Sequence, residues 1–576
     1  MSLCTCHPVV DYADAVEEIE MLYRLAIVED NATARANLRS HILPLGQFDI
    51  SSFSNGTELK AALKKQNFEL ILMDFHLGQS KTGVEWIQEL RQSRYIKPST
   101  GIIFITSDRM PQTIGQIIDV HPDLLIIKPY TIGSITRAIM HYIDYREYAS
   151  SALFSLDNDD PRDALAKLTA LMRKALPPKI KSDVQKLKAR LLIEAGQVKL
   201  AKNLYDSVLE RSEKVLWAQW GKIKCEYING DWQHCTQRLH SMVTTNLAKD
   251  KALEWLAGLS FEQQNWNQTE YYLEQINVSD LSIQATKLKS IAYQKQDKVI
   301  EGIDLLQRKR DVNRAAKDKY TEFTFELAAF YLNIAEHQPQ SNREQSLMQA
   351  KRLVGVAGRN QGELQLVQKR DYLLAHSALL EGDEEKARHY LSGDNMQVFV
   401  RTDPATLLTA AKVYSALGDK ERAKSLVVMA QQRNQKSLSI AELVSNNDAI
   451  FTGEINMGIA EERAAELNEE GTLLFVDKKY AAAMDKFYLA FQLMPEVAAF
   501  PLNLLQCMVE AKQAVFKRCH VTELISSLQQ MRQMSAPNLK RFEQLQQSVA
   551  KKANIFLTPP PSGDELPPRP SKENHA

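Results

Sequence analysis

Five short apolar runs constrain this chain more than any other feature. Leu25-Ala26-Ile27-Val28, Leu70-Ile71-Leu72-Met73, Ile102-Ile103-Phe104-Ile105 and Leu124-Leu125-Ile126-Ile127 are four of them, and Phe48-Asp49-Ile50-Ser51 is a weaker fifth. Each is short for a helix and has the length of a strand, and helix-length segments separate them. Strands alternating with helices make a parallel sheet with helices on both faces, and unbroken apolar strands fit burial from both sides. The pattern predicts an α/β fold, flavodoxin-like with a five-stranded parallel sheet, over residues 22–148, preceded by a segment at 1–21.

After residue 150 the strand signal fades and helical patterns pair off around a recurring turn. Gly196, Gly230 and Asn265 mark three turns spaced by 34 and 35 residues, and Gly382 and Gly418 mark two more spaced by 36. A period near 34 is the tetratricopeptide value. Residues 464–495 hold one nearly complete repeat, with Gly471 allowing close approach, Leu474 beside it, Ala483, Phe487 and Ala490 on the facing helix, and Pro495 at the end. Small residues at the crossing and large ones in the gap let antiparallel helices nest. We expect tetratricopeptide-like repeats over 149–436, an irregular connection rich in Ser and Asn at 437–458, and a C-terminal repeat with helices at 459–554. The Pro-rich end, 555–576, is expected to be a disordered tail. An irregular all-α bundle is the competing reading of the helical part.

Ligands of open parallel sheets bind at the carboxyl ends of the strands. Those ends carry Glu29 and Asp30, then Asp74, then Thr106 and Ser107, then Lys128 and Pro129. Crowded carboxylates repel one another at low dielectric and invite a hard cation such as Mg²⁺ or Mn²⁺. With that charge and Lys128 nearby, an Asp74 oxygen can attack phosphorus. Thr106 can donate to a phosphoryl oxygen, and small Ser107 leaves room for one. X-Pro bonds are cis-prone, and a cis Lys128-Pro129 bond would aim the ammonium.

Glu29, Asp30, Asp74, Thr106, Lys128 and Pro129, in this order at strand ends, resemble the receiver domain of two-component response regulators. A receiver followed by repeats resembles the regulators with a tetratricopeptide output, the VieB-like class. The resemblance implies Asp74 as phosphoacceptor, and Glu29, Asp30, Asp74 and the backbone carbonyl of His76 as metal ligands. It implies Thr106 as switch hydroxyl, Lys128 as the phosphoryl-stabilising lysine, Ser107 and Pro129 in support, and Gly83 as the glycine opening the following helix. Two positions depart from the family: Leu125 stands where an aromatic switch residue is usual, and the loop after Asp74 lacks a proline. His76 and Asp108 could flank the phosphoryl group, or His76 could simply face solvent.

Lys+Arg and Asp+Glu both number 71 in 576 residues. That balance speaks against a duplex-binding footprint, which depends on neutralising phosphates. A DNA-binding transcriptional regulator is the alternative function. No apolar run approaches the roughly 20 residues of a membrane span, and residues 1–7 lack a secretory pattern, so a cytoplasmic protein is expected. Six cysteines do not make a disulfide framework; Cys4, Cys6 and His7 could at most contact a metal. Beyond residue 150 no phosphate loop or hydrolase motif appears, so no separate enzyme is expected, and the receiver would assist only its own phosphorylation and dephosphorylation. Stacked helix pairs suit a protein partner, and a histidine kinase or phosphotransfer protein would donate the phosphoryl group. Trp217, Trp220, Trp232, Trp255 and Trp266 gather in the first repeats, as packing residues or as ligand anchors.

Overall fold

The computed structural model describes residues 22–78, 81–244, 248–339, 343–357, 364–393, 396–531 and 534–556. The expectations for residues 1–21, with Cys4, Cys6 and His7, and for the Pro-rich tail from 557 onward lie outside these residues; the first two residues of the expected tail, Ile555 and Phe556, instead end the helix Ala553–Phe556, where the apolar Phe556 ring is fully buried.

The five runs form β1 (Tyr23–Val28), β2 (Phe48–Phe53), β3 (Leu70–Asp74), β4 (Gly101–Thr106) and β5 (Leu124–Ile127). They make one parallel sheet in the order β2-β1-β3-β4-β5. Helices α1 (Ala32–Ile42), α2 (Gly56–Leu63), α3 (Gly83–Gln92), α4 (Pro111–Asp119) and α5 (Ile132–Asp157) connect or follow the strands. Alternate strand residues feed two cores. Leu25, Ile27, Leu72 and Ile103 pack with α5 through Ile135, Ile139 and Ile143. Ala26, Val28, Ile71 and Phe104 pack with α3 through Val84, Ile87 and Leu90. A period of two along each strand thus supplies both faces.

Helix α5 runs 26 residues, so the expected boundary at 148/149 falls inside one continuous helix. Ala149, Ala152, Leu153 and Leu156 bury its second half in the same core as its first. The helical part then proceeds by antiparallel pairs, such as Pro178–Glu194 with Val198–Leu209 and Leu216–Ile228 with Trp232–Val243. The turns recur as left-handed residues at Gly196, Gly230, Gln264 and Asp297. Gly471 packs so closely on its partner helix that a Cβ would lie 2.7 Å from the Phe487 ring.

The expected irregular connection at 437–458 is instead the helix Ile440–Asn456. Its Ser and Asn residues work not as turn formers but as a cap and as buried hydrogen-bonding groups. Ser439 accepts from the Glu442 N–H, and Ser437 Oγ donates to the Glu442 carboxylate at 2.6 Å. Asn446 donates to Asn434 at 3.0 Å, and Asn434 to Asn447 at 2.9 Å.

That helix closes the array on itself. Ile440, Ala441 and Val444 share a core with Leu253, Leu256 and Leu288 from two earlier repeats. A small hairpin absent from the sequence reading, β6 (Val515–Phe516) and β7 (Cys519–His520), docks on the Gly230 turn. The Lys517 N–H donates to the Gly230 carbonyl at 2.7 Å, and a Cβ on Gly230 would lie 2.6 Å from the Phe516 ring.

The inner face that repeats usually offer to a partner is turned here toward the α/β domain. Lys319 pairs with Glu85 of α3 at 3.0 Å, and Arg401 stacks over Tyr95 at 4.0 Å. Leu438 joins the α3 core, and Ile118 of α4 packs into the core of the Lys249–Glu262 helix.

Glu326 ties three helices together, accepting from Lys369 at 2.9 Å and facing Lys287 at 3.7 Å. Burial alone would raise its carboxyl, but the two ammonium groups outweigh burial and hold it down at about 2. A carboxyl depressed in the folded state stabilises above its ordinary pKa of 4.5 and loses that effect as pH falls toward about 2. Thermal unfolding from pH 5 to 2 should therefore show a steeper loss of Tm in the parent than in Glu326→Gln, with the two profiles parallel above pH 5.

Candidate functional site

Residues distant in sequence meet because strands β1, β3, β4 and β5 all end on one edge. Glu29 and Asp30 follow β1, Asp74 ends β3, Thr106 ends β4, and Lys128 follows β5. Strands β1 and β3 are the neighbours at which chain order reverses, the usual crevice of such sheets.

The Lys128 ammonium donates to Glu29 at 2.8 Å and to Asp74 at 3.0 Å. Carboxylate oxygens of Glu29, Asp30 and Asp74 all lie within 4.8 Å of one another. Glu29 and Asp74 are buried, whereas Asp30 is exposed and opens the cluster to solvent. Burial, reinforced by Asp74, raises the Glu29 carboxyl above its ordinary range in spite of Lys128. Burial lowers the Lys128 ammonium, but its bonds to Glu29 and Asp74 outweigh this and raise it. Three hard oxygen donors with an open side suit Mg²⁺ or Mn²⁺.

The backbone around the acids is locked by residues the sequence reading did not single out. Arg35 of α1 donates to the carbonyl of Glu29 at 2.6 Å and of Asp30 at 3.3 Å. Its signal was present, since Asn31 caps α1 and places Arg35 one turn in, over the strand end. Gly83, expected from the resemblance, is required by contact. Its N–H donates to the Phe75 carbonyl at 2.8 Å, and a Cβ there would lie 2.2 Å from the Asp74 carbonyl oxygen.

Thr106 is fully buried, and its hydroxyl accepts from the Asp108 N–H at 3.0 Å. Ser107 is exposed beside it. Asp108 accepts from Thr113 at 2.5 Å and faces the His76 ring at 3.5 Å. Burial would raise the Asp108 carboxyl, but Thr113, the Met110 N–H and His76 together lower it. His76 thus pairs with Asp108 while keeping its ring 57% exposed. The Lys128-Pro129 bond is cis, and Pro129 is exposed. Leu125 is half-buried in the α3 core, in register with Phe104. Tyr130 is a nearby aromatic that the sequence reading missed. Burial raises its phenol, with Lys128, Glu29 and Asp74 acting on it as well.

Replacing Lys128 by Met leaves two buried carboxylates facing each other. Breaking such a pair costs about 3 kcal/mol or more. Because Glu29 is already raised, a lower pH lets it bind a proton in the folded state and relieves the repulsion. Chemical denaturation of Lys128→Met in the absence of divalent cations should show a deficit of roughly 3 kcal/mol at pH 7 that shrinks by pH 5.

Residues 25–140 match the response regulator receiver domain family. No curated protein matches the chain. Among solved structures, the receiver domain of a modulated diguanylate cyclase from Desulfovibrio desulfuricans G20 is 29% identical, covering 22% of this chain and 97% of that one, with a TM-score of 0.20. The chemotaxis protein CheY4 of Vibrio cholerae is 19% identical, covering 21% of this chain and 98% of that one, with a TM-score of 0.20. A tetratricopeptide repeat protein from Parabacteroides merdae is 16% identical, covering 52% of this chain and 98% of that one, with a TM-score of 0.29. The N-terminal domain of this chain is a response regulator receiver domain, and a tetratricopeptide-like helical array follows it.

Proposed function

We propose that this response regulator is phosphorylated on Asp74 and that the phosphoryl group changes how the helical array holds the receiver. The observation that carries this reading is the convergence of Glu29, Asp30 and Asp74 within 4.8 Å, with Lys128 bridging two of them.

A divalent cation bound by the Glu29, Asp30 and Asp74 carboxylates and the His76 carbonyl would neutralise charge on the incoming phosphoryl oxygens. An Asp74 oxygen attacks phosphorus; an O–P bond forms as the N–P bond to a donor histidine breaks, and the freed imidazole nitrogen takes up a proton. Lys128 is placed to follow the charge from the carboxylate to the phosphoryl oxygens. The Thr106 hydroxyl, which now accepts from Asp108, can turn to donate to a phosphoryl oxygen.

Two routes connect this centre to the array. Lys81, in the loop that leaves Asp74, is buried and bonded to Glu89 at 2.8 Å and to Glu322 of the Lys317–His337 helix. Thr106 opens the loop into α4, which packs on the Lys249–Glu262 helix. A shift in either loop changes a contact with the array, which is how a local charge event selects between two arrangements. The array then binds its protein partner in one arrangement in preference to the other.

Incubation with acetyl phosphate and Mg²⁺ should add one phosphoryl group, seen by intact mass. EDTA or Asp74→Asn should abolish it; labelling that persists in Asp74→Asn sinks the assignment. Hydrogen exchange in residues 317–337 should quicken on phosphorylation, and Lys81→Met should show much of that exchange before phosphorylation. Identical exchange with and without phosphate would disprove the coupling.

A further inference from the structure

A chamber of about 1850 Å³ lies between the receiver and the inner face of the array. It exceeds the roughly 300–1,000 Å³ of ordinary small-molecule pockets. One part of its wall concentrates basic and aromatic side chains from several elements. The first helices of three consecutive repeats each contribute a stripe at helical spacing. Helix Pro178–Glu194 gives Lys186 and Arg190, helix Leu216–Ile228 gives Trp217 and Lys224, and helix Lys249–Glu262 gives Lys251 and Trp255. The receiver closes the same wall with Arg91 at the end of α3 and His121 in the turn before β5.

Contacts hold these elements in place. Lys186 donates to the Pro122 carbonyl at 2.5 Å, and Arg91 donates to the Val120 carbonyl. Lys251 sits 4.3 Å over the Trp220 ring, which lies 6.1 Å from Trp255. Tyr227 meets Trp255 edge-on at 5.7 Å.

The wall has too few anions for its cations. Among the described residues none of Arg91, Lys186, Arg190 and Lys224 forms an ion pair with a carboxylate. Asp123, Asp183 and Glu194 are the acids acting on this group; Asp123 already accepts from the Ile102 N–H at 2.8 Å, and Asp183 already faces the His141 ring at 2.7 Å. Burial first, and then Arg190, lowers Lys224 and brings Arg91 down to about 10. His121 is lowered by burial and by Arg190, Lys224, Lys186 and Arg91 in turn. Half-buried cations gathered with little counter-charge repel one another, and a bound anion relieves that repulsion.

We propose that this wall binds a phosphorylated nucleotide, with Arg190, Lys186, Lys224 and Arg91 on the phosphates and Trp217 and Trp255 against the base. Guanidinium groups match phosphate oxygens in a bidentate fork, and half-buried indole faces accept any base by stacking. The ligand bridges the receiver and three repeats, so it stabilises their docked arrangement. The site stands apart from the acidic cluster, and its ligand needs no phosphoryl group on Asp74 to bind.

The test uses the full chain in EDTA, which removes cation-dependent binding at the acidic cluster. AMP, GMP, ATP and GTP are titrated against intrinsic tryptophan fluorescence and Tm, with pyrophosphate and adenosine as charge-only and base-only probes. At least one nucleotide should quench fluorescence and raise Tm, pyrophosphate should bind more weakly, and adenosine should not bind. Arg190→Gln with Lys224→Gln should weaken the nucleotide by about tenfold or more per cation removed. Trp217→Leu should weaken the nucleotide while sparing pyrophosphate. Variant Tm without ligand confirms folding, and should the double variant fail to fold, Arg190→Gln alone reads the same effect. Failure of every nucleotide to bind overturns the proposal, as does nucleotide binding that survives loss of the cations in a folded variant.

Discussion

The Lys128 ammonium between Glu29 and Asp74 is the contact on which the acidic cluster of the receiver rests. It joins the ends of β1, β3 and β5, which share one edge of the sheet although β4 lies between β3 and β5 and all three are distant in the chain. Without a positive centre there, two carboxylates could not both stay ionised in a buried place. The same arrangement leaves Asp30 and the solvent side open, so further charge can be accommodated from outside. Around it, Arg35 and Gly83 fix the main chain, one by donating to carbonyls and the other by having no side chain to collide with.

What distinguishes this regulator is the placement of its repeats. An open superhelix would present its inner face to a separate protein. Here the helix Ile440–Asn456 and the small hairpin return to the first repeats, and the inner face meets α3 and α4 of the receiver. Burial raises the Glu322 carboxyl, while Glu322 and Glu89 together outweigh burial and raise Lys81. A cation shared by two acids at a domain junction fixes position more than it adds stability.

The parts legible in the sequence were those governed by local pattern. Strands buried on both faces are continuously apolar, so β3 and β4 announce themselves, as do the apolar runs of β1 and of the half-buried edge strand β5, and their terminal residues then name the site. The turns at Gly196 and Gly230 are legible because left-handed backbone favours glycine. Gln264 and Asp297 adopt the same conformation without a glycine, so the period was harder to follow there. Residues 437–458 misled because Ser and Asn serve both turns and buried hydrogen-bonding layers, and only the partners, Asn434 and Glu442, tell which. The partnership of Lys81 with Glu322 and the closure at Gly230 join residues hundreds of positions apart, and no short-range pattern encodes them.

Helix α5 belongs to both domains. At about 1.5 Å per residue, its 26 residues make a rod of roughly 39 Å, with no glycine or proline between its second turn and its end. The receiver is therefore not a detachable cassette. Grafting another receiver onto this array, or trimming the chain near residue 148, would cut through Ala149, Ala152, Leu153 and Leu156, where the two hydrophobic interiors are one. Any tilt of the sheet must reach the first repeat as the swing of a stiff lever.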